Sequence, residues 1–183
     1  MSAERPAARP GSFRPATFLA LALVLAVGAV VLVARAVTPA SVVLEESGVR
    51  VELAYSGGAQ GEVVAVFRPV HAGFHLYGPE LPRDGIDGAG RPTLLEVKTG
   101  SAWRAIGPLV PEPTTTPMLV PTFDRAFPIF PEGPATLRLS VERDTTASGS
   151  ADLVVSVTYM ACSFSGLCLA PVIGREVNVP TRP

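Results

Sequence analysis

Residues 45–183 predict an all-β fold, an antiparallel β-sandwich, and three observations predict it. Apolar residues recur with a period of two in several separate stretches, the mark of half-buried strands. No stretch after residue 36 keeps a period of 3.6 over ten residues, so helices are not expected there. Turn-forming clusters divide the chain into seven or eight short candidate strands, the density of a sandwich.

Val49, Val51, Leu53 and Tyr55 alternate with Arg50, Glu52, Ala54 and Ser56, and the SGG at 56–58 supplies the first turn. Val63–Arg68 and Gly73–Tyr77 follow, then the turn-rich RDGIDGAG at 83–90. Leu94–Lys98 and Trp103–Ile106 come next. Leu137, Leu139 and Val141 alternate with polar neighbours, and SGS at 148–150 is a turn. Leu153, Val155, Val157 and Tyr159 form the inward set of another strand, and Ile173–Val179 closes the series. Tyr159 and Trp103 read as a core pair.

Residues 108–134 break the pattern with eight prolines, which cannot donate to a strand ladder. A loop of this length in a small domain is usually functional or disordered. Phe123, Phe127, Ile129 and Phe130 argue against disorder, because such side chains seek cover. The segment is therefore either a crossover between sheets or a lid over a site.

The amino terminus has a different character. FLALALVLAVGAVVLVA, residues 18–34, is an uncharged run near the lower length limit for a membrane-spanning helix. Arg5, Arg9 and Arg14 precede it, which leaves the first residues in the cytoplasm and exports the rest. Cleavage at Ala34-Arg35-Ala36 is the alternative, giving a soluble exported form. The expected organisation is a cytoplasmic tail at 1–17, a transmembrane anchor or signal segment at 18–36, a tether at 37–44 and the sandwich at 45–183. Residues 1–36 carry a net charge of +3 and residues 37–183 carry −4. A mildly acidic exported domain has no electrostatic footprint for nucleic acid.

Cys162 and Cys168, in TYMACSFSGLCLAP, are the only cysteines. In an oxidising compartment two cysteines ordinarily pair. The strand from Leu153 would run into Cys162, five residues would turn the chain, and Cys168 would start the returning strand. Gly166 supplies the positive φ such a turn commonly needs. Closing so short a loop stabilises by only about 2.4 kcal/mol. The pair is thus either a modest staple or a redox site. Zinc is not expected, because two thiols with His71 and His75 lack the usual paired spacing.

The segment TYMACSFSGLCLAP resembles the active-site segment of the amino-terminal domain of DsbD, the bacterial thiol:disulfide interchange protein. Thr158, Tyr159, Cys162, Gly166, Cys168 and Pro171 carry the match. AGFHLYGPE at 72–80 is similar to an early strand of that family through Gly73, Phe74 and Tyr77, and Phe123 falls where a cap-loop aromatic shields the disulfide. Pro121 and Thr122 stand where acidic residues precede that aromatic in the family, with Asp124 just after; His75 stands where the family has a tyrosine.

The resemblance implies an immunoglobulin-like antiparallel β-sandwich; with the single-pass anchor expected at 18–36, it would stand on the periplasmic side of an inner membrane, without the multi-helix membrane domain and thioredoxin-like domain of full DsbD. It implies thiol–disulfide exchange through Cys162 and Cys168, in a setting such as cytochrome c biogenesis, with no cofactor. Cys168 would form the bond to a partner and Cys162 would resolve it. Tyr77, Phe123, His75 and Asp124 would form the surroundings of the pair. His75, if close, would stabilise a thiolate as an imidazolium; its ordinary alternative is a polar side chain with its own hydrogen bonds. The expected donor is a membrane-embedded thiol reductase or a thioredoxin-like protein, and the expected acceptor is an oxidised extracytoplasmic protein. Two other classes compete: a binding or assembly module with a structural disulfide, and a copper-handling protein using Cys162, Cys168, Met160 and His75.

Overall fold

The computed structural model describes residues 40–146 and 152–181. The membrane segment expected at 18–36 and the SGS turn expected at 148–150 lie outside the described residues. The described strands are β1 (Ser41–Glu46), β2 (Val49–Gly57), β3 (Gln60–Pro69), β4 (Phe74–Leu76), β5 (Leu94–Val97), β6 (Trp103–Ala105) and β7 (Val110–Glu112). They continue as β8 (Thr116–Met118), β9 (Phe127–Ile129), β10 (Ala135–Arg143), β11 (Leu153–Tyr159), β12 (Ala161–Ser163) and β13 (Val172–Val179). Among the described residues the fold is all-β.

One sheet runs β1-β2-β3-β10-β6, with β7 also on β10, and a second runs β13-β11-β5. All their strand pairs are antiparallel. The alternation dictates how they meet. Val49, Val51, Leu53 and Tyr55 of β2 point into one core with Leu153, Val155, Val157 and Tyr159 of β11. Each fully buried aliphatic side chain there contributes about 1.5–3 kcal/mol of transfer free energy. The result is a β-sandwich, consistent with an immunoglobulin-like arrangement.

Tyr159 joins the two sheets. Its ring stands edge-on to Phe67 of β3, centroids 5.7 Å apart, and its hydroxyl donates to the Glu46 carbonyl at 3.2 Å. Burial, with the nearby Glu46 charge adding to it, pushes this phenol up to about 12. Trp103 lies in the same core, as expected of both residues, with its ring edge-on to Tyr55 at 5.4 Å. In the SGG turn Gly57 takes φ of +140°, and a Cβ there would clash with the Gln60 carbonyl oxygen; the Tyr55 hydroxyl ties the turn down by donating to the Gly58 carbonyl at 2.7 Å.

Three expectations change. β1 begins at Ser41, so the last residues of the stretch read as a tether belong to the large sheet; only Val42 and Leu44 are half-buried, which leaves a weak pattern. The proline-rich stretch forms three short strands. Its prolines sit where no central ladder needs their missing donor: Pro111 on the short β7, and Pro117 opposite Pro128 in the β8-β9 ribbon. It is crossover and cover together, since β7 joins β10 while β9 is tied to β4 by Gly78 N–H donating to the Pro128 carbonyl at 2.8 Å and Phe130 N–H to the Leu76 carbonyl at 2.9 Å.

The cysteine hairpin is also different. β11 stops at Tyr159, where its register against β13 shifts, and the chain continues as β12. β12 pairs with β4 in a two-stranded ribbon that belongs to neither sheet. Cys168 makes an isolated bridge to Cys162, and the returning strand starts only at Val172. Around this ribbon lies a second apolar cluster: Tyr77, Leu81, Ile86, Phe127, Ile129 and Cys162.

Candidate functional site

Cys162 and Cys168 are joined by a disulfide with their Cα atoms 4.0 Å apart. The backbone sets this approach. Ser163 N–H donates to the Leu167 carbonyl at 2.7 Å, and Leu169 N–H to the Ala161 carbonyl at 2.9 Å. Those bonds flank the cysteines and make them a non-hydrogen-bonded antiparallel pair, the type whose Cα atoms come closest. The loop between them carries its own bonds: Gly166 N–H to the Ser163 carbonyl at 3.0 Å and Leu167 N–H to Ser163 Oγ at 3.0 Å. Gly166 takes φ of +93°, as the turn requires. The loop is thus specified by hydrogen bonds as well as by sulfur.

The two halves of the disulfide have unlike surroundings. Cys162 is 2% exposed within the second cluster, whereas Cys168 is exposed. The cover comes from the proline-rich segment. Met118, Val120 and Phe123 pack half-buried on the cluster, and the turn is closed by Phe123 N–H donating to the Val120 carbonyl at 2.9 Å. Aromatic rings then follow one another: Phe123 to Phe127 at 5.0 Å, Phe127 to Tyr77 at 5.7 Å, Tyr77 to His75 at 5.3 Å, and His75 to Phe164 at 4.8 Å.

A cleft of about 610 Å³ opens among these groups. Five sequence-expected residues, His75, Tyr77, Phe123, Cys162 and Cys168, line it. Asp124 is exposed and is not among the lining residues. His71 is exposed, beside Phe74 at 5.5 Å. Tyr77 is 5% exposed, and burial raises its phenol, so it stays protonated.

His75 lies close to the pair, the condition that its functional reading set. It is the direct cross-strand neighbour of Cys162 and is 1% exposed. Neither ring nitrogen has a hydrogen-bond partner among the described residues, so it is not a satisfied core histidine. Burial lowers its basicity, which favours neutral imidazole over a resting imidazolium.

Sequence reasoning missed Met118, Phe127 and Phe164 as site residues, and the part played by residues 84–91. That loop lines the cleft through Gly88–Arg91. Arg91 holds it by donating to the carbonyls of Asp84 at 3.0 Å and Gly88 at 2.9 Å. Gly90 is required there: its φ is +78°, and a Cβ would lie 3.0 Å from Leu81 Cδ2. The glycine spacing of RDGIDGAG was a signal for a tight loop but not for its position.

Exposed apolar residues surround the accessible cysteine. Phe164 is 55% exposed, Leu167 62% and Leu119 81%. Among the described residues no cluster of three or more metal-ligating His, Cys, Asp or Glu side chains occurs.

No protein-family model and no curated protein matches the chain. Solved structures with similar folds include the reduced amino-terminal domain of Neisseria meningitidis DsbD, at 14% identity and a TM-score of 0.43, over 70% of this chain and 83% of that one. The amino-terminal periplasmic domain of ScsB from Proteus mirabilis is 11% identical with a TM-score of 0.48, over 78% of this chain and about half, 51%, of that one. The GAE domain of GGA2p from Saccharomyces cerevisiae is 12% identical with a TM-score of 0.44, over 78% of this chain and all of that one.

Proposed function

We propose that this chain is an exported thiol–disulfide exchange protein of the DsbD amino-terminal kind, anchored by its amino-terminal segment. The observation that carries the reading is the asymmetry of the disulfide: Cys162 is buried under an aromatic cap while Cys168 is exposed. Exchange requires a thiolate to reach one sulfur in line with the S–S bond. A donor's thiolate attacks Cys168 Sγ, the S–S bond breaks, and Cys162 leaves with the electron pair. A second donor thiol then attacks the mixed disulfide and leaves both cysteines reduced. The pair passes its two electrons on by the reverse steps, with Cys168 attacking an oxidised protein and Cys162 resolving the bond. Membrane-embedded or thioredoxin-like donors and oxidised extracytoplasmic acceptors suit this chemistry, and Phe164, Leu167 and Leu119 offer an apolar rim for docking them.

The reading is tested by the reduction potential of the pair. A structural disulfide lies below about −300 mV, and such a value removes the relay in favour of a binding module. A higher value, with a partner trapped on Cys168 of a Cys162→Ala chain, supports it. The copper reading draws on Met160, Cys162, Cys168 and His75 lining one cleft. Titration of the reduced chain with Cu(I) against a competing chelator separates it from the relay.

A further inference from the structure

We infer that His75 is the proton acceptor for Cys162 in the resolving step of exchange. This inference rests on the exchange reading above and deepens it. Three observations outside that reading carry it. His75 and Cys162 are directly opposite in the β4-β12 ribbon, where Cβ atoms of facing residues lie about 4.5–5.5 Å apart. Both line the same cleft. Both ring nitrogens of the buried imidazole are without a partner, an arrangement that a purely structural histidine avoids.

The chemistry needs such a group. Reduced Cys162 sits among Tyr77, Phe127 and Ile129, and a thiol in apolar surroundings is held in its protonated form. A protonated thiol does not attack a disulfide. The exposed Cys168 can ionise into water, but Cys162 has to lose its proton within the cluster. The titratable and charged groups that line the cleft with His75 are Tyr77 just past its strand, Arg91 on the 84–91 loop, Cys162 across the ribbon and Cys168. The Glu132 carboxylate is engaged by Gly73 N–H at 3.0 Å, two residues before His75. No carboxylate lines the cleft among the described residues. Tyr77 remains a phenol and Arg91 a cation, so neutral His75 is the base at hand. Burial favours that neutral form.

The step balances as follows. Cys168 is bonded to the partner sulfur in a mixed disulfide. The Cys162 S–H proton passes to the imidazole, and the Cys162 thiolate attacks Cys168 Sγ. The bond from Cys168 to the partner breaks, and the partner leaves as a thiolate carrying the electron pair. The imidazolium then releases its proton through the cleft. In the opposite direction the imidazolium returns the proton to departing Cys162, which prevents a bare thiolate from being stranded in the cluster.

The experiment uses the reduced full-length chain, in detergent, mixed with 5,5′-dithiobis(2-nitrobenzoate). The first thionitrobenzoate marks the mixed disulfide on Cys168, and the second marks its resolution by Cys162. A Cys162→Ala chain releases only the first and assigns the phases. His75→Gln is expected to leave the first phase unchanged and to slow the second about 100-fold at pH 6–7. The second phase of the native chain rises with pH through a group titrating below 6.5, whereas in His75→Gln it rises only as the thiol itself ionises. Imidazole added to His75→Ala is expected to restore the second phase; this arm holds even if Gln disturbs the ribbon. Equal second-phase rates and pH profiles in native chain and variants overturn the role of His75 while leaving exchange intact. A native chain that shows no second phase overturns the exchange reading and this inference with it.

Discussion

Phe123 meets Phe127 edge to face, with ring centroids 5.0 Å apart and an interplanar angle of 82°. Phe127 is buried in the cluster that holds Cys162, and Phe123 is half-buried above it. The contact ties the proline-rich turn down over the cleft, and an aromatic pair of this kind is worth about 0.5–1.5 kcal/mol. Phe123→Ala is therefore expected to speed reduction of the disulfide by dithiothreitol about 2- to 10-fold, read from the rate of thiol appearance. Unfolding in urea should shift much less than for a core residue such as Phe67. An unchanged reduction rate would mean that the turn gives the disulfide no cover.

Reducing the disulfide is expected to lower the free energy of unfolding by no more than about 2.4 kcal/mol. The bonds from Ser163, Gly166, Leu167 and Leu169 remain in the reduced chain and hold the ribbon. Urea titrations of oxidised and reduced protein check this, with β-sheet circular dichroism retained in both. A loss well above that bound would make the bridge a structural requirement.

Tyr159 gives an alkaline signature. Its phenol titrates at about 12 in the folded protein against 10.0 for the free group. A raised acid contributes its stability fully below pH 10 and loses it as pH rises toward 12, at up to about 1.4 kcal/mol per pH unit. Tyr159→Phe should lose about 0.5–1.5 kcal/mol at pH 7, from the bond to Glu46, and should also lose this alkaline slope. Urea midpoints at pH 8, 10 and 11 for both chains make the comparison.

His75 gives the opposite signature. Its basicity is lowered by burial, so the unfolded chain takes up a proton near pH 6.5 before the folded chain does. The stability associated with the neutral ring is present above pH 6.5 and is lost as pH falls below it. The oxidised native chain should therefore lose more stability between pH 7.5 and pH 5 than oxidised His75→Gln. Equal losses would place the ring in contact with water.

The strands of the sandwich were legible because one face of each meets the core and the other does not. Val49, Val51, Leu53 and Tyr55, or Leu153, Val155, Val157 and Tyr159, report that condition directly. The site was legible only in part. On β4 nothing in Phe74-His75-Leu76 announces that the structure buries His75. Its ring meets Tyr77 and Phe164, while residues 118–130, a non-local element with no periodic signature of its own, cover the cluster that holds Cys162. The same cover explains Cys162 and Cys168. Two cysteines facing each other across a turn look equivalent in sequence, and only the distant cap makes one inaccessible. β12 was missed because its three residues pair with a strand more than eighty positions earlier, and nothing in ACS announces that partner.

The two apolar clusters share no buried residue: Tyr159 and its neighbours form one, and Tyr77, Phe127 and Cys162 form the other. The ribbon itself spans both, since Leu76 and Ala161 lie in the sandwich core and Cys162 in the second cluster. On the exchange reading proposed above, substitutions confined to the second cluster and its cap therefore act on access to the disulfide, whereas substitutions at Leu76 or Ala161 also act on the sandwich.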